Sequence, residues 1–400
     1  MTTPRGSRLH IAILGRCNTG KSTVLNLIAG QQISIVSSRP GTTADPVPLP
    51  FELPVLGPVN FYDTAGMDEA SDLGRLRQAA SRKVLARADL AVIVTDFQGI
   101  GECERTIMRE LRLLETPFVL VFNKRDLGLP PPEDMALCRK EGIEHLVLSA
   151  CTDLNPAALR EALLRLAPEV EEERPLIADI LAPGATAVCV IPIDASAPKG
   201  RLILPQVQVL RELVENRHTA IAVQPSELTR SLGLLRKAPD IVICDSQVVR
   251  EAAAVLPATM PLTTFSIIFA RQKGDFSLMA SGARAISALP AGAQVVIAEA
   301  CSHHPQSDDI ARVKIPALLQ RHLGHELRFV FCSGVDFPED LSACALVLHC
   351  GGCMLNRREM RRRLHVTAAA GVPVSNYGMA ISLAQGILER VLHPFDGMGK

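Results

Sequence analysis

Short apolar runs alternate with amphipathic stretches along the whole chain. In the first part, "LHIAILG", "VNFYD", "ADLAVIVTD", "PFVLVFNK" and "HLVLSA" are brief and rich in Val, Ile, Leu and Phe. Runs of this kind predict strands of a parallel sheet covered on both faces. The stretches "KSTVLNLIAG", "GRLRQAASRKVLARA" and "CERTIMRELRLLE" predict helices between them. The acidic, proline-flanked "LAPEVEEERP" (166–175) reads as a linker. Next comes a second set: strand "ATAVCVIPI", helix "PQVQVLRELVEN", strand "TAIAVQ", helix "SELTRSLGLLRK" and strand "DIVICDS". A Pro/Thr-rich break near 257–264 precedes a third set. There "FSIIFA", "QVVIAEA", "LRFVFCSG" and "CALVLHC" predict strands. Helices are predicted over "DFSLMASGARAISAL", "DDIARVKIPALLQRHLG", "NRREMRRRLHVTAAA" and "GMAISLAQGILERVL". The pattern predicts an α/β chain of three domains, 1–168, 169–262 and 263–400, related by pattern and not by sequence repeat.

Length and composition agree with several domains, since 400 residues exceed one ordinary core and 48% of them are apolar. With 42 basic and 42 acidic residues the formal net charge is zero, which argues against a chain-wide electrostatic grip on nucleic acid. The absence of Trp and the two Tyr leave few stacking platforms, so no nucleic-acid partner is expected. The start "MTTPRGSRLHIAILG" lacks the long apolar region and cleavage site of a secretory signal. No run of about 18 apolar residues suggests a membrane span. Eleven scattered cysteines, an odd number without a dense framework, fit a reducing cytoplasm.

The loop "GRCNTGKS" (15–22), between a predicted strand and helix, has the spacing that wraps phosphates in backbone N–H groups. It offers Gly15, Asn18, Thr19, Gly20, Lys21, Ser22 and Thr23 to a nucleotide, with the new helix presenting its positive end. Lys21 can reach the β- and γ-phosphates, and the Ser22 hydroxyl can bind Mg²⁺. "DTAG" (63–66) follows the strand "VNFY", so Asp63 can hold Mg²⁺ through water and the Gly66 N–H lies near the γ-phosphate. "NKRD" (123–126) supplies Asn123, Lys124 and Asp126. A carboxylate at Asp126 accepts from the N1 and N2 donors of guanine, an arrangement that adenine does not offer. Ser149 and Ala150 close the next strand and can meet guanine O6 through backbone N–H. Four motifs in order, each at the carboxyl end of a strand, predict a GTP-binding domain. "RPGTTAD" (39–45) and these motifs resemble the TrmE–Era–EngA class of GTPases. The resemblance implies that Thr43 ligates Mg²⁺, that Asn18 helps ligate K⁺, and that Met67 replaces a water-orienting Gln. Hydrolysis is then expected to be slow and K⁺-stimulated.

At the other end, "CSHH" begins at Cys301 after "QVVIAEA", and "HCGGC" begins at His349 after "ALVLHC". Ligands of open α/β sheets collect beyond the carboxyl ends of strands, so Cys301 and Cys350 are expected to face one pocket. Gly351 and Gly352 permit a tight turn, after which Cys353 is expected at a helix start whose partial positive charge favours a thiolate. Three thiolates suit a [4Fe–4S] cluster with one iron open to another ligand. Cys301, His303, Cys350 and Cys353 suit a structural zinc equally well by type. A redox pair is a third use of the two close cysteines. Cys189, Cys244, Cys332 and Cys344 read as inert core, and Asp308 and Asp309 as carboxylates of a first helical turn. The arginines from Arg357 to Arg363 read as a solvated helix face, or as a patch that steers an anionic partner.

The order C-x-H then H-C-x-x-C, together with "APKGRLILPQVQ" (197–208) and "TTFSIIFARQKGD" (263–275), closely resembles the HydF family of [FeFe]-hydrogenase maturation GTPases. Ala44 departs from the threonine usual there. The resemblance implies a [4Fe–4S] cluster on Cys301, Cys350 and Cys353, with His303 or His349 as a fourth ligand. It further implies a scaffold that carries a diiron precursor as cargo to the [FeFe]-hydrogenase apoprotein. The radical-SAM maturases of the same pathway are then partners, and the middle segment makes a homodimer. The alternative, a ribosome-assembly GTPase with a structural zinc, calls for an RNA-binding module or a strongly basic tail, and neither stands in the chain.

Overall fold

The computed structural model describes residues 8–31, 48–54, 56–64, 84–153, 155–168, 174–193, 202–300, 309–334, 336–338 and 340–396. Two compact units, Met1–Glu172 and Glu173–Lys400, divide the chain. No helix among the described residues is long and apolar enough to cross a membrane.

The first unit is built on six strands: β1 (Leu9–Leu14), β2 (Leu49–Leu53), β3 (Gly57–Asp63), β4 (Leu90–Thr95), β5 (Phe118–Phe122) and β6 (His145–Val147). Their order is β2-β3-β1-β4-β5-β6, and only β2 runs antiparallel. Strands β1 and β4 are buried almost throughout, as their unbroken apolar sequences require of a sheet covered on both faces. β2, "LPFEL", was not expected from the sequence; it is a five-residue edge strand interrupted by Pro50, with Leu53 its buried residue. The helices Lys21–Ala29 and Ala157–Leu166 pack on one face with Val24, Leu25, Ile28 and Leu163. The helix Glu102–Leu113 covers the other with Ile107 and Leu111. Most of the helix expected over 74–88 lies outside the described residues.

The second unit holds two four-stranded parallel sheets. The first joins β7 (Thr186–Val190), β8 (Thr219–Val223), β9 (Ile241–Cys244) and β10 (Leu262–Thr264) in the order β10-β9-β7-β8. The second joins β11 (Gln294–Glu299), β12 (Arg328–Ser333), β13 (Leu346–His349) and β14 (Val374–Asn376) in the order β12-β11-β13-β14. One hydrophobic core runs through both, from Leu176 to Phe395.

Three of the expected elements take another form. "FSIIFA", expected as a strand, is the first part of the helix Phe265–Lys273. Thr264 caps it, its Oγ1 accepting from Ile267 N at 3.3 Å. Phe265, Ile267, Ile268, Phe269 and Ala270 are all buried, and a helix buried all round has the same continuous apolar run as a buried strand. The strand lies just before it, as β10, inside the stretch read as a break. The closing helix is two, Tyr377–Ala384 and Leu388–Leu392, interrupted at Gly386. The helix expected over "SELTRSLGLLRK" shortens to Leu228–Gly233 after one tight turn.

Candidate functional site

In the first unit, the loop Gly15–Gly20 links β1 to the helix Lys21–Ala29. The loop can form because its glycines carry no side chain: a Cβ on Gly15 would lie 2.1 Å from the Val94 carbonyl oxygen. One on Gly20 would lie 2.3 Å from Asn123 Nδ2. Lys21 is buried, and its Nζ donates to the carbonyls of Gly15 at 3.2 Å and Arg16 at 2.6 Å, folded over the loop. The register pairs Ile13 with Asp63, which brings Asp63 beside the loop. Ser22 Oγ donates to Asp63 Oδ2 at 2.8 Å. Burial raises the pKa of Asp63 above its usual 3.8, opposed by the Ser22 hydrogen bond and the Lys21 charge. A divalent cation between hydroxyl and carboxylate would relieve that burial.

Asn123 joins three of the motifs. Its Nδ2 donates to the Thr19 carbonyl at 2.9 Å and its Oδ1 accepts from Ala150 N at 2.9 Å. Ser149 Oγ donates to Asp126 Oδ1. Asn18 and Lys124 both adopt left-handed φ values, 60° and 59°. Thr23 stands half-buried on the first helical turn. Thr43, Gly66 and Met67 lie outside the described residues. Sequence reading missed two supports. Asp153 Oδ2 accepts from Ser149 N at 2.8 Å, and the other carboxylate oxygen meets Arg125 at 2.9 Å. Arg16, an unspecified position of its motif, donates from Nε to the fully buried Glu104 at 2.8 Å. Neither carries a local sequence signal.

The second candidate region is the carboxyl edge of the sheet β12-β11-β13-β14. The chain reverses direction of travel across this sheet between β11 and β13, so the crevice of an open α/β sheet falls there. Ala298 pairs with His349, and Cys350 leaves β13 next to the exit of β11. Cys301 follows β11 in sequence but lies outside the described residues, as do His303, His304 and Asp308. Cys350 Sγ accepts from Ala300 N at 3.0 Å. Gly352 adopts φ 64°, and a Cβ there would lie 2.3 Å from Met360 Cε. Among the described residues, no three His, Cys, Asp or Glu side chains gather in a metal-binding group.

Two expectations for this edge change. Cys353 does not open a helix. The helix is Arg357–Ala369, capped by Asn356 Oδ1 accepting from Glu359 N at 3.1 Å, and Cys353 lies in the turn before it. Its counter-charge is Lys273. This buried ammonium donates to the carbonyls of Gly352 at 3.1 Å, Cys353 at 3.4 Å and Leu355 at 2.8 Å. Burial raises the Cys353 pKa, while Lys273 and the N–H groups of Cys353 and Met354 lower it. The arginine run is also not all solvated. Arg363 is 1% exposed and donates from Nε to Glu359 Oε1 at 2.7 Å and from Nη2 to the Gly334 carbonyl at 2.6 Å. Arg362 holds the other side of Glu359 at 2.8 Å.

His349 is inside this network. Arg363 Nη1 can only donate, so His349 Nε2, 3.0 Å away, accepts. Nδ1 then carries the proton and donates to the Cys350 carbonyl at 3.0 Å. Burial, with Arg363, holds its pKa down to about 3. Both ring nitrogens are engaged within the protein, and His349 orients the Cys350 backbone in this geometry. Asp309, expected in a first helical turn, stands just before it as its N-cap, accepting from Arg312 N at 2.9 Å. Cys189 and Cys244 are fully buried, whereas Cys332 and Cys344 are half-buried. The donor set fits an iron–sulfur cluster. Cys350 and Cys353 offer soft sulfurs, the first receiving the Ala300 N–H, with the Lys273 ammonium holding the turn that carries the second.

Comparison with known proteins matches three domain models along the chain. Residues 10–124 match the 50S ribosome-binding GTPase model. Residues 176–274 match the hydrogen maturase F dimerization domain, and residues 277–394 its tetramerization domain. Among curated relatives, the GTPase Era of Marinobacter nauticus is 35% identical over 170 residues, 40% of this chain and 54% of that protein. The GTPase Der of Hyphomonas neptunium is 32% identical over 179 residues, 41% of this chain and 35% of its own. The chain thus spans about half or less of the curated relatives it matches. Among solved structures, Era of Aquifex aeolicus bound to GDP·AlF4⁻ is similar with a TM-score of 0.34 and 21% identity, covering 54% of this chain and 92% of that one. The first unit is a P-loop GTPase domain that binds GTP with Mg²⁺ and hydrolyses it. Two domain models of one family stand end to end behind it, and together they span more than half of the residues: the chain belongs to the hydrogen maturase F family, the HydF GTPases of hydrogenase maturation.

Proposed function

We propose that this hydrogenase maturation GTPase is a scaffold that holds a [4Fe–4S] cluster on Cys301, Cys350 and Cys353 and delivers a diiron unit to apo-[FeFe]-hydrogenase. The observation that carries the reading is the position of Cys350, at the switch point between β11 and β13 with its sulfur receiving the Ala300 N–H. When bound, the cluster supplies an iron site able to hold cargo reversibly. The chain's own part is to present thiolates, to hold the Gly352–Leu355 turn with Lys273, and to fix the Cys350 carbonyl with His349. With His349 engaged, His303 or an exogenous group is the better fourth ligand.

Residues 169–262 serve as linker and dimerisation segment and 263–400 as the cluster segment, in a homodimer working in a reducing cytoplasm beside the radical-SAM maturases. In the GTPase, Ser22, Thr43 and Asp63 hold Mg²⁺, and Asn18 helps to hold K⁺. GTP turnover acts as a timer, changing partner affinity through the segments around Thr43 and Gly66.

Anaerobic reconstitution with iron and sulfide tests this reading. A reducible cluster seen by absorption and EPR, and lost in Cys350→Ser, is the expected result. A colourless protein holding one tight zinc would overturn it in favour of a structural zinc site.

A further inference from the structure

The carboxyl edge of the last sheet contains a hydrogen-bond donor with nothing to donate to among the described residues. The register pairs His349 with Asn376, so the residues that leave the neighbouring strands side by side are Cys350 and Tyr377. Tyr377 is the first residue of the helix Tyr377–Ala384, and its base is fixed. Asn376, fully buried, caps the helix through Met379 N at 2.8 Å and donates to the Ser266 carbonyl at 2.8 Å. The Tyr377 ring is partly exposed, yet its hydroxyl oxygen is buried and has no hydrogen-bond partner among the described residues.

A buried phenol left unsatisfied costs on the order of 1–3 kcal/mol, so such a group calls for a partner beyond the described residues. Burial raises the Tyr377 pKa above its usual value, and the charges of Cys350, Glu299, Cys332 and Asp309 raise it further. Glu299 already binds Arg312 at 3.2 Å, and Asp309 accepts from Arg312 N. Cys350 Sγ accepts from Ala300 N. The register starts Tyr377 beside Cys350, at the strand ends where a group held on Cys350 would sit, and an acceptor brought there would satisfy the hydroxyl.

We infer that Tyr377 donates a hydrogen bond from its hydroxyl to a sulfur of the iron–sulfur cluster held at Cys350, either a bridging sulfide or the cysteine sulfur itself. The inference rests on the cluster reading above. It adds a residue that lies outside the cysteine motif. A donor on a cluster sulfur withdraws electron density and stabilises the reduced, more negative form, which raises the midpoint potential.

Tyr377→Phe tests it, because phenylalanine keeps the ring and removes only the hydroxyl. In the metal-free protein the variant is expected to unfold at the same temperature as the parent or slightly above, since an unsatisfied group has gone. In the reconstituted protein its midpoint potential is expected to move in the negative direction. Cluster loss to a chelator is expected to run about fivefold faster, the worth of one hydrogen bond. Tyr62→Phe, in the other unit, serves as control and should change neither readout. An unchanged potential and chelation rate in a cluster-bearing Tyr377→Phe protein would overturn this inference and leave the cluster reading standing. Failure of the parent protein to take up a cluster would overturn both. A lower unfolding temperature of the metal-free variant with an unchanged potential would make Tyr377 a packing residue and also overturn it.

Discussion

We propose two separable demands on the nucleotide, one at Asp126 and one at Asn18. The Asp126 carboxylate, held by Ser149 Oγ, is proposed to accept from the base. An amide at this position would donate instead and would suit a base carrying a carbonyl at C2. Asp126→Asn is therefore expected to lower GTP affinity at least tenfold, a loss of about 1.4 kcal/mol or more, and to favour xanthosine triphosphate. Competition titrations with fluorescent nucleotides measure this, and unaltered base preference would exclude Asp126 from base recognition. Asn18 stands exposed in the phosphate loop with its backbone in the left-handed region. GTP turnover is expected to be faster in K⁺ than in Na⁺, and the difference should vanish in Asn18→Ala. Equal steady-state rates in the two salts for the parent would dismiss the cation. At this scale the sequence was highly legible for the GTPase motifs, since each residue type is dictated by a phosphate, a metal or a base edge. It was less so for Asp153, Arg16 and Lys273. These residues act on the motifs from far along the chain, and no local pattern marks them.

Among secondary elements, the helix Arg357–Ala369 shows how a charged sequence can be buried. Its run of arginines reads as a wet face, but Glu359 and Arg363 are each about 1% exposed and bonded at 2.7 Å. Burial pushes the Glu359 carboxyl up, yet the hydrogen bonds and charges of Arg362 and Arg363 outweigh it and hold its pKa below the usual 4.5. This pairing therefore stabilises the fold fully above pH 4.5 and loses its effect as pH falls through the lowered folded value. Glu359→Gln leaves Arg363 buried without its counter-charge and is expected to cost roughly 3–5 kcal/mol at neutral pH. It should also remove this part of the acid-side loss of stability. Denaturant unfolding at a series of pH values reads both effects, and parallel curves for parent and variant would refute the assignment. The periodicity that located most elements failed where burial was complete. The helix Phe265–Lys273 and the short β14 carry no polar stripe to set a period. The available signals were two helix caps, Thr264 at the start of Phe265–Lys273 and Asn376 where β14 gives way to the helix Tyr377–Ala384.

For the molecule as a whole, the sequence pattern separated a GTPase region from the remainder of the chain. It could not show that the two later sheets share one core from Leu176 to Phe395. That sharing depends on which apolar faces meet, a property of packing and not of periodicity. Lys273 makes it specific. It belongs to the segment matched by the dimerization model, yet it holds the carbonyls of Gly352, Cys353 and Leu355 in the segment matched by the tetramerization model. One ammonium thus has its backbone in one segment and its hydrogen bonds in another. In the scaffold proposed above, such an arrangement would make subunit association and cluster retention a linked pair of equilibria. By reciprocity, whatever factor cluster loading adds to self-association, self-association adds to cluster retention. Sedimentation velocity of metal-free and reconstituted protein should therefore give different dissociation constants, and Lys273→Met should bring them together. Identical constants in the parent would uncouple the two. Where the linkage holds, dilution alone would loosen the seat of the proposed cargo, so the concentration of the chain would set how firmly the scaffold grips it.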